Sequence, residues 1–109
     1  MTTIKFSMEG SRLTGFTSEG HSGYGEEGSD IVCAAVSSTI GLVECACNTV
    51  LGIAASVRID EKNGRITLRL PGGLSEADEH TCQTLLASLM VYLVELQEEY
   101  PDHINVMEV

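Results

Sequence analysis

Asn63-Gly64 sits between two runs that alternate apolar and polar residues, Ser56-Val57-Arg58-Ile59-Asp60 and Arg65-Ile66-Thr67-Leu68-Arg69-Leu70. Clean alternation on both sides of Asn63-Gly64 is a strong short-range signal for an antiparallel hairpin. The alternation puts Val57, Ile59, Ile66, Leu68 and Leu70 on one inward face. An earlier pair repeats the pattern. Thr3 to Met8 turns Ile4, Phe6 and Met8 to one side, the chain reverses at Glu9-Gly10-Ser11, and a strand from about Arg12 to Gly20 pairs back. Gly15 interrupts that strand and Phe16 falls out of phase with Leu13, which predicts a bulge or a kink there.

Each hairpin leads into a helical pattern. Ser29 or Asp30 caps a helix expected from about Ile31 to near Gly52. At about 100° per residue, Cys33 heads a polar stripe of Ser37, Gly41, Glu44 and Asn48. The opposite arc, Val32, Ala35, Val36, Ile40, Leu42, Val43, Ala46, Cys47 and Val50, is expected to bury against a sheet. Ser75 opens a second helix with a variant capping box, Ser75-Glu76-Ala77-Asp78. Its apolar stripe is Cys82, Leu85, Leu86, Leu89, Met90 and Leu93, and Tyr100-Pro101 ends it. The last stretch, His103 to Val109, reads as a short strand. The order ββαββαβ predicts an α+β fold of two layers: a mostly antiparallel sheet with two helices packed on it. At 109 residues the chain fits one domain, 1–109.

Sixteen acidic against six basic residues give a net charge of −10. That excludes nucleic acid as a direct partner, since binding a polyphosphate needs clustered cations, and favours a basic protein or peptide. The polar, alternating N-terminus is not a signal peptide, and no continuous apolar run is expected to span a membrane. A cytoplasmic protein is expected. The four cysteines, Cys33, Cys45, Cys47 and Cys82, form no disulfide or zinc pattern: Cys33 lies about 18 Å along a helix from Cys45, and Cys45 and Cys47 point to different sides. Cys47 and Cys82 read as core. No metal and no cofactor are implied.

Reactive residue types gather in one place only. Gly20-His21 leads into a Gly-rich connector, and Cys33 follows three residues into the helix that Asp30 opens. Helix-start N–H groups and the helix dipole favour a thiolate there, and the same amides are candidate oxyanion donors. His21, at a strand end whose loop returns to that helix, is the candidate general base. Asp30 either orients His21 or caps the helix, and Ser37 lies one turn below the sulfur. His80 and His103 receive no role. These residues leave open a cysteine hydrolase or an acidic non-catalytic module that binds a basic protein or peptide; a third class, thiol redox or metal binding, is disfavoured because there is no C-x-x-C pair or converging ligand set.

The run Asp30-Ile31-Val32-Cys33-Ala34-Ala35-Val36-Ser37, with Gly20-His21, Tyr24, Gly25 and Gly28, resembles the ribosomal-processing cysteine protease family, Prp. Ser22 stands where that family usually has alanine. The resemblance implies an endopeptidase that removes the N-terminal extension of large-subunit ribosomal protein twenty-seven, with Cys33 as nucleophile and His21 as general base. It implies supporting positions at Asp30, Gly20 and Ser37. It further implies a homodimer, and a substrate-gating loop containing Ser22, Gly23, Tyr24, Gly25 and Gly28.

Overall fold

The computed structural model describes residues 1–21, 23, 25 and 30–109. Its elements are β1 (Thr2–Glu9), β2 (Arg12–Glu19), α1 (Ile31–Glu44), a π-helical turn (Cys45–Val50), β3 (Ser56–Asp60), β4 (Arg65–Arg69), α2 (Glu76–Glu99) and β5 (Ile104–Glu108). The strands form one open five-stranded sheet in the order β3-β4-β2-β1-β5. All neighbours are antiparallel except β1 and β5, which run parallel because α2 carries the chain across before the last strand begins. The expected α+β order is the observed one.

Alternation decides what the sheet buries. Thr2, Ile4 and Phe6 of β1 point to one side and are sealed there by Val32, Val36, Ile40 and Val43 of α1 and by Leu86, Leu89 and Leu93 of α2. Fully burying each such leucine contributes about 1.5–3 kcal/mol. The expected bulge falls at Thr14: Ser7 pairs with Gly15 and Met8 with Leu13, so Thr14 has no opposite number. That extra residue lets Leu13 and Phe16, three apart, both turn inward, and Phe16 meets Phe6 at 5.8 Å between ring centroids. Gln83 of α2 brackets the bulge, accepting from the Leu13 N–H and donating to its carbonyl, both at 2.8 Å.

Three expectations about apolar faces are corrected. Leu42 and Val50 are 69% and 76% exposed rather than buried. Leu42 lies just beyond the arc covered by the sheet. Val50 is carried outward by the π-helical turn, whose i→i+5 winding advances each residue by less than the α-helical ~100°. Ile59 is 66% exposed because β3 is an edge strand that no helix covers. The lower half of the presumed polar stripe also has a different use. The Asn48 amide accepts from the Ala55 N–H at 2.7 Å and donates to its carbonyl at 3.1 Å, with Glu44 behind it, so these two residues shape the connection into β3. By length and composition, the 20-residue segment Ile31–Val50 is apolar enough to cross a membrane, contrary to the sequence expectation. Of its apolar residues, Val32, Val36, Ile40, Val43 and Cys47 pack into the protein core, while Ile31, Leu42 and Val50 are exposed.

Cys47 and Cys82 are both 0% exposed in the core. Burial, then the neighbouring Cys82, pushes the Cys47 thiol up from 9.0 to about 11, and burial raises Cys82 as well. Because the folded Cys47 holds its proton to higher pH than the unfolded one, its contribution to stability is complete below about pH 9 and is lost as pH rises toward 11. Urea unfolding at pH 8, 9.5 and 10.5 is expected to show this decline in the native protein and a shallower one in Cys47→Ala. Equal slopes would mean the pair does not titrate with unfolding.

Candidate active site

The N-terminal turn of α1 stands over the ends of β2, β3 and β4, and between them lies a groove of about 360 Å³. Gly20, His21, Asp30, Cys33 and Ser37 all line it. Of the expected gating-loop residues, Gly23 and Gly25 are exposed, while Ser22, Tyr24 and Gly28 lie outside the described residues.

Gly20 is required by its surroundings. Its φ is +90°, and a Cβ there would come within 2.5 Å of the Met1 carbonyl oxygen, so β2 leaves the sheet at this point only as glycine. Its N–H donates to the Gly64 carbonyl at 3.2 Å, which ties the strand exit to the β3–β4 turn. His21 follows immediately and its exposed ring lies over Gly64, with Nε2 3.5 Å from where a Cβ on Gly64 would stand.

Asp30 caps α1. One carboxylate oxygen accepts from the Val32 and Cys33 N–H groups, both at 3.0 Å, and the Asp30 carbonyl accepts from Ala34 N–H at 3.0 Å. These amides were the expected oxyanion donors. The buried cap engages all three, so the first turn of the helix fixes Cys33 without lending these N–H groups to a substrate. Cys33 is half-buried, and its Sγ lies 3.9 Å from the Thr2 hydroxyl. Ser37 is exposed one turn below it.

The other wall of the groove is apolar, with Ile59 and Ile66 opposite Val36 and Ile40. Its rim is charged, with Asp60, Glu61 and Arg65. Asp60 is held below the usual carboxylate range by hydrogen bonds from Asn63, and Arg65 pairs with Glu19 at 3.0 Å. His80 and His103 do not line the groove. Thr2 and Ser18, both buried and both facing it, were missed in the sequence. The available signal was a polar residue at an inward phase: Thr2 precedes Ile4 and Phe6 by two and four positions. The groove thus combines a thiol, an imidazole, and an apolar wall suited to the side chains of an extended chain.

The family model described as cysteine protease Prp matches residues 1–105. The chain belongs to the Prp family. Its sequence is 26% identical over 94 residues to the ribosomal processing cysteine protease Prp of Bacillus subtilis, covering 86% of this chain and 84% of that one. It is 28% identical over 98 residues to the Prp of Staphylococcus aureus, covering 86% and 85%. The crystal structure of the essential S. aureus Prp in complex with a covalently linked product peptide superposes with a TM-score of 0.87 at 25% identity, covering 100% of both chains. As a Prp, the chain is a cysteine protease of the ribosomal-processing type, and the Prp match spans every element that builds the groove.

Proposed function

We propose that this chain is a single-domain cysteine endopeptidase, 1–109, with Cys33 as nucleophile and His21 as general base, and that it removes the N-terminal extension of large-subunit ribosomal protein twenty-seven. The observation that carries the site assignment is the fate of the four thiols. Cys47 and Cys82 are sealed in the core, Cys45 is exposed away from the groove, and Cys33 lines the groove that also holds an imidazole. A protease needs its sulfur where a peptide carbonyl and a base can both reach it.

In the mechanism that follows, His21 takes the Cys33 proton and the sulfur attacks the scissile carbonyl carbon. The tetrahedral intermediate collapses as His21 gives its proton to the leaving amine, leaving a thioester that water, activated by His21, hydrolyses. Asp30 holds the sulfur's backbone in place through the cap, Gly20 sets the direction in which His21 leaves β2, and Ser37 offers a hydroxyl one turn along. The apolar wall of Ile59 and Ile66 supports an extended, partly apolar peptide as substrate. The charge of −10 supports a cationic ribosomal protein as its carrier through long-range attraction.

A homodimer and a cytoplasmic setting complete the proposal. The exposed Leu42 and Tyr92, with Leu85, wall an apolar groove between α1 and α2 that suits a second copy. The test is incubation of the purified protein with the extended ribosomal protein under reducing conditions, read by intact mass. Loss of the N-terminal extension is expected, and an unchanged mass overturns the substrate assignment. Sedimentation equilibrium of the same preparation is expected to give a dimer; a monomer at micromolar concentration removes that part.

A further inference from the structure

The feature that neither the sequence motif nor the mechanism uses is Thr2. Its side chain shares the helix-facing side of β1 with Ile4 and Phe6, and the residue is only 3% exposed. A hydroxyl at such a position needs a partner, because burial takes away its hydrogen bonds to water. Its partner is the Cys33 sulfur, at 3.9 Å. We propose that the Thr2 hydroxyl is a positioning residue for Cys33, donating to the ionised sulfur from the sheet side and holding it toward the groove.

Three observations support this. In the neutral pair either atom can donate, but an ionised sulfur has no proton, so the hydroxyl becomes the donor and the bond becomes charge-assisted. The hydroxyl is also held in place: threonine is stiff at χ1, and the Thr2 N–H donates to the His103 carbonyl at 2.9 Å within the parallel β1–β5 pair. On the helix side, the Val32 and Cys33 amides are already engaged by Asp30. The sheet therefore provides what the helix start does not.

Among the described residues, the charged groups around this contact are the groove residues His21, Asp30, Asp60, Glu61 and Arg65, with the Met1 amino group and His103 flanking Thr2. All of them persist when Thr2 alone is changed, so a comparison of variants reads the hydroxyl.

The inference rests on Cys33 being the reacting thiol, and its test does not use proteolysis. In a Cys45→Ser background, the rate of iodoacetamide alkylation at Cys33 is followed against pH, with the modified residue located by mass spectrometry. Thr2→Val keeps the shape and removes the hydroxyl. Its profile is expected to shift upward by about one pH unit, with alkylation at neutral pH slowed up to about tenfold and the high-pH plateau unchanged. Thr2→Ser is expected to restore the native profile. A merely structural role would change the plateau and leave the midpoint in place. A midpoint unmoved in Thr2→Val overturns the inference, as does one displaced equally in Thr2→Ser. If Thr2→Val does not fold, Thr2→Ala is read by the same criteria. Retained cleavage in Cys33→Ala would sink the catalytic assignment, a separate result from the alkylation profile.

Discussion

Replacing Cys33 by alanine is expected to abolish cleavage while leaving the fold in place. The two halves of that statement rest on different observations. The buried face of α1 is made by Val32, Val36, Ile40 and Val43, and Cys33 is not among them. The bond that starts the helix is donated by the Cys33 backbone N–H to Asp30, and alanine keeps that N–H. Alanine has the higher helix propensity but leaves the buried Thr2 hydroxyl without its sulfur partner, so the variant should stay folded in urea with a loss of about 1–3 kcal/mol. Chemistry has no such substitute: without the sulfur there is no thioester, and the expected loss is about 10³-fold or more. His21→Ala is expected to lose about 10²–10⁴-fold through the missing proton transfer, again without unfolding, because the ring is exposed over Gly64 and packs in no core. The double variant should be no slower than Cys33→Ala, since the two groups serve one proton and one bond. Cleavage of the precursor, followed by mass, checks all three. Native activity in either single variant removes that residue from the mechanism.

Much of this was legible because the relevant signals are local. Asn63-Gly64, the out-of-phase Phe16 and the Asp30 cap are determined by a few neighbouring residues, and each appears where the pattern placed it. Alternation also says that 103–109 is a strand, but not which partner it takes. The parallel pairing with β1 follows from the length of α2, a long-range fact. The π-helical turn at Cys45–Val50 leaves no mark in composition, so the face assigned to Val50 came out reversed. Ile59 illustrates the same limit from another side. Its phase is inward, but only the strand order reveals that β3 is an edge, where an inward side chain overhangs the groove. The amides at the start of α1 are the most instructive case. The residue that makes the helix start recognisable, Asp30, is the one that engages them.

Gly15→Ala is expected to bring the severest backbone clash of the described glycines. Most glycines in turns are needed for a positive φ, but Gly15 is needed for space. A Cβ there would lie 2.1 Å from the Leu68 carbonyl oxygen and 3.1 Å from the Arg69 Cα, both backbone atoms that no rotamer change can move aside. β2 is held between β4 and β1, so relief has to come from separating strands. Parting β2 from β4 opens the Phe16–Leu68 pair, each residue 1% exposed, at the centre of the sheet. It also displaces the β3–β4 turn, whose Gly64 supports the imidazole and whose Ile66 lines the groove. Overpacking of this kind costs about 3 kcal/mol or more, a large fraction of the stability of a domain this size. The matched control is Gly41→Ala on the outer side of α1, where an added Cβ meets nothing within 4 Å and helix propensity gains up to about 1 kcal/mol. In urea the control should unfold at or above the native midpoint, while Gly15→Ala unfolds far below it or is recovered only as aggregate. A Gly15→Ala midpoint close to that of the native protein would show that β2 and β4 can separate without cost, and the site would then rest on a softer sheet than the Gly20–Gly64 hydrogen bond indicates.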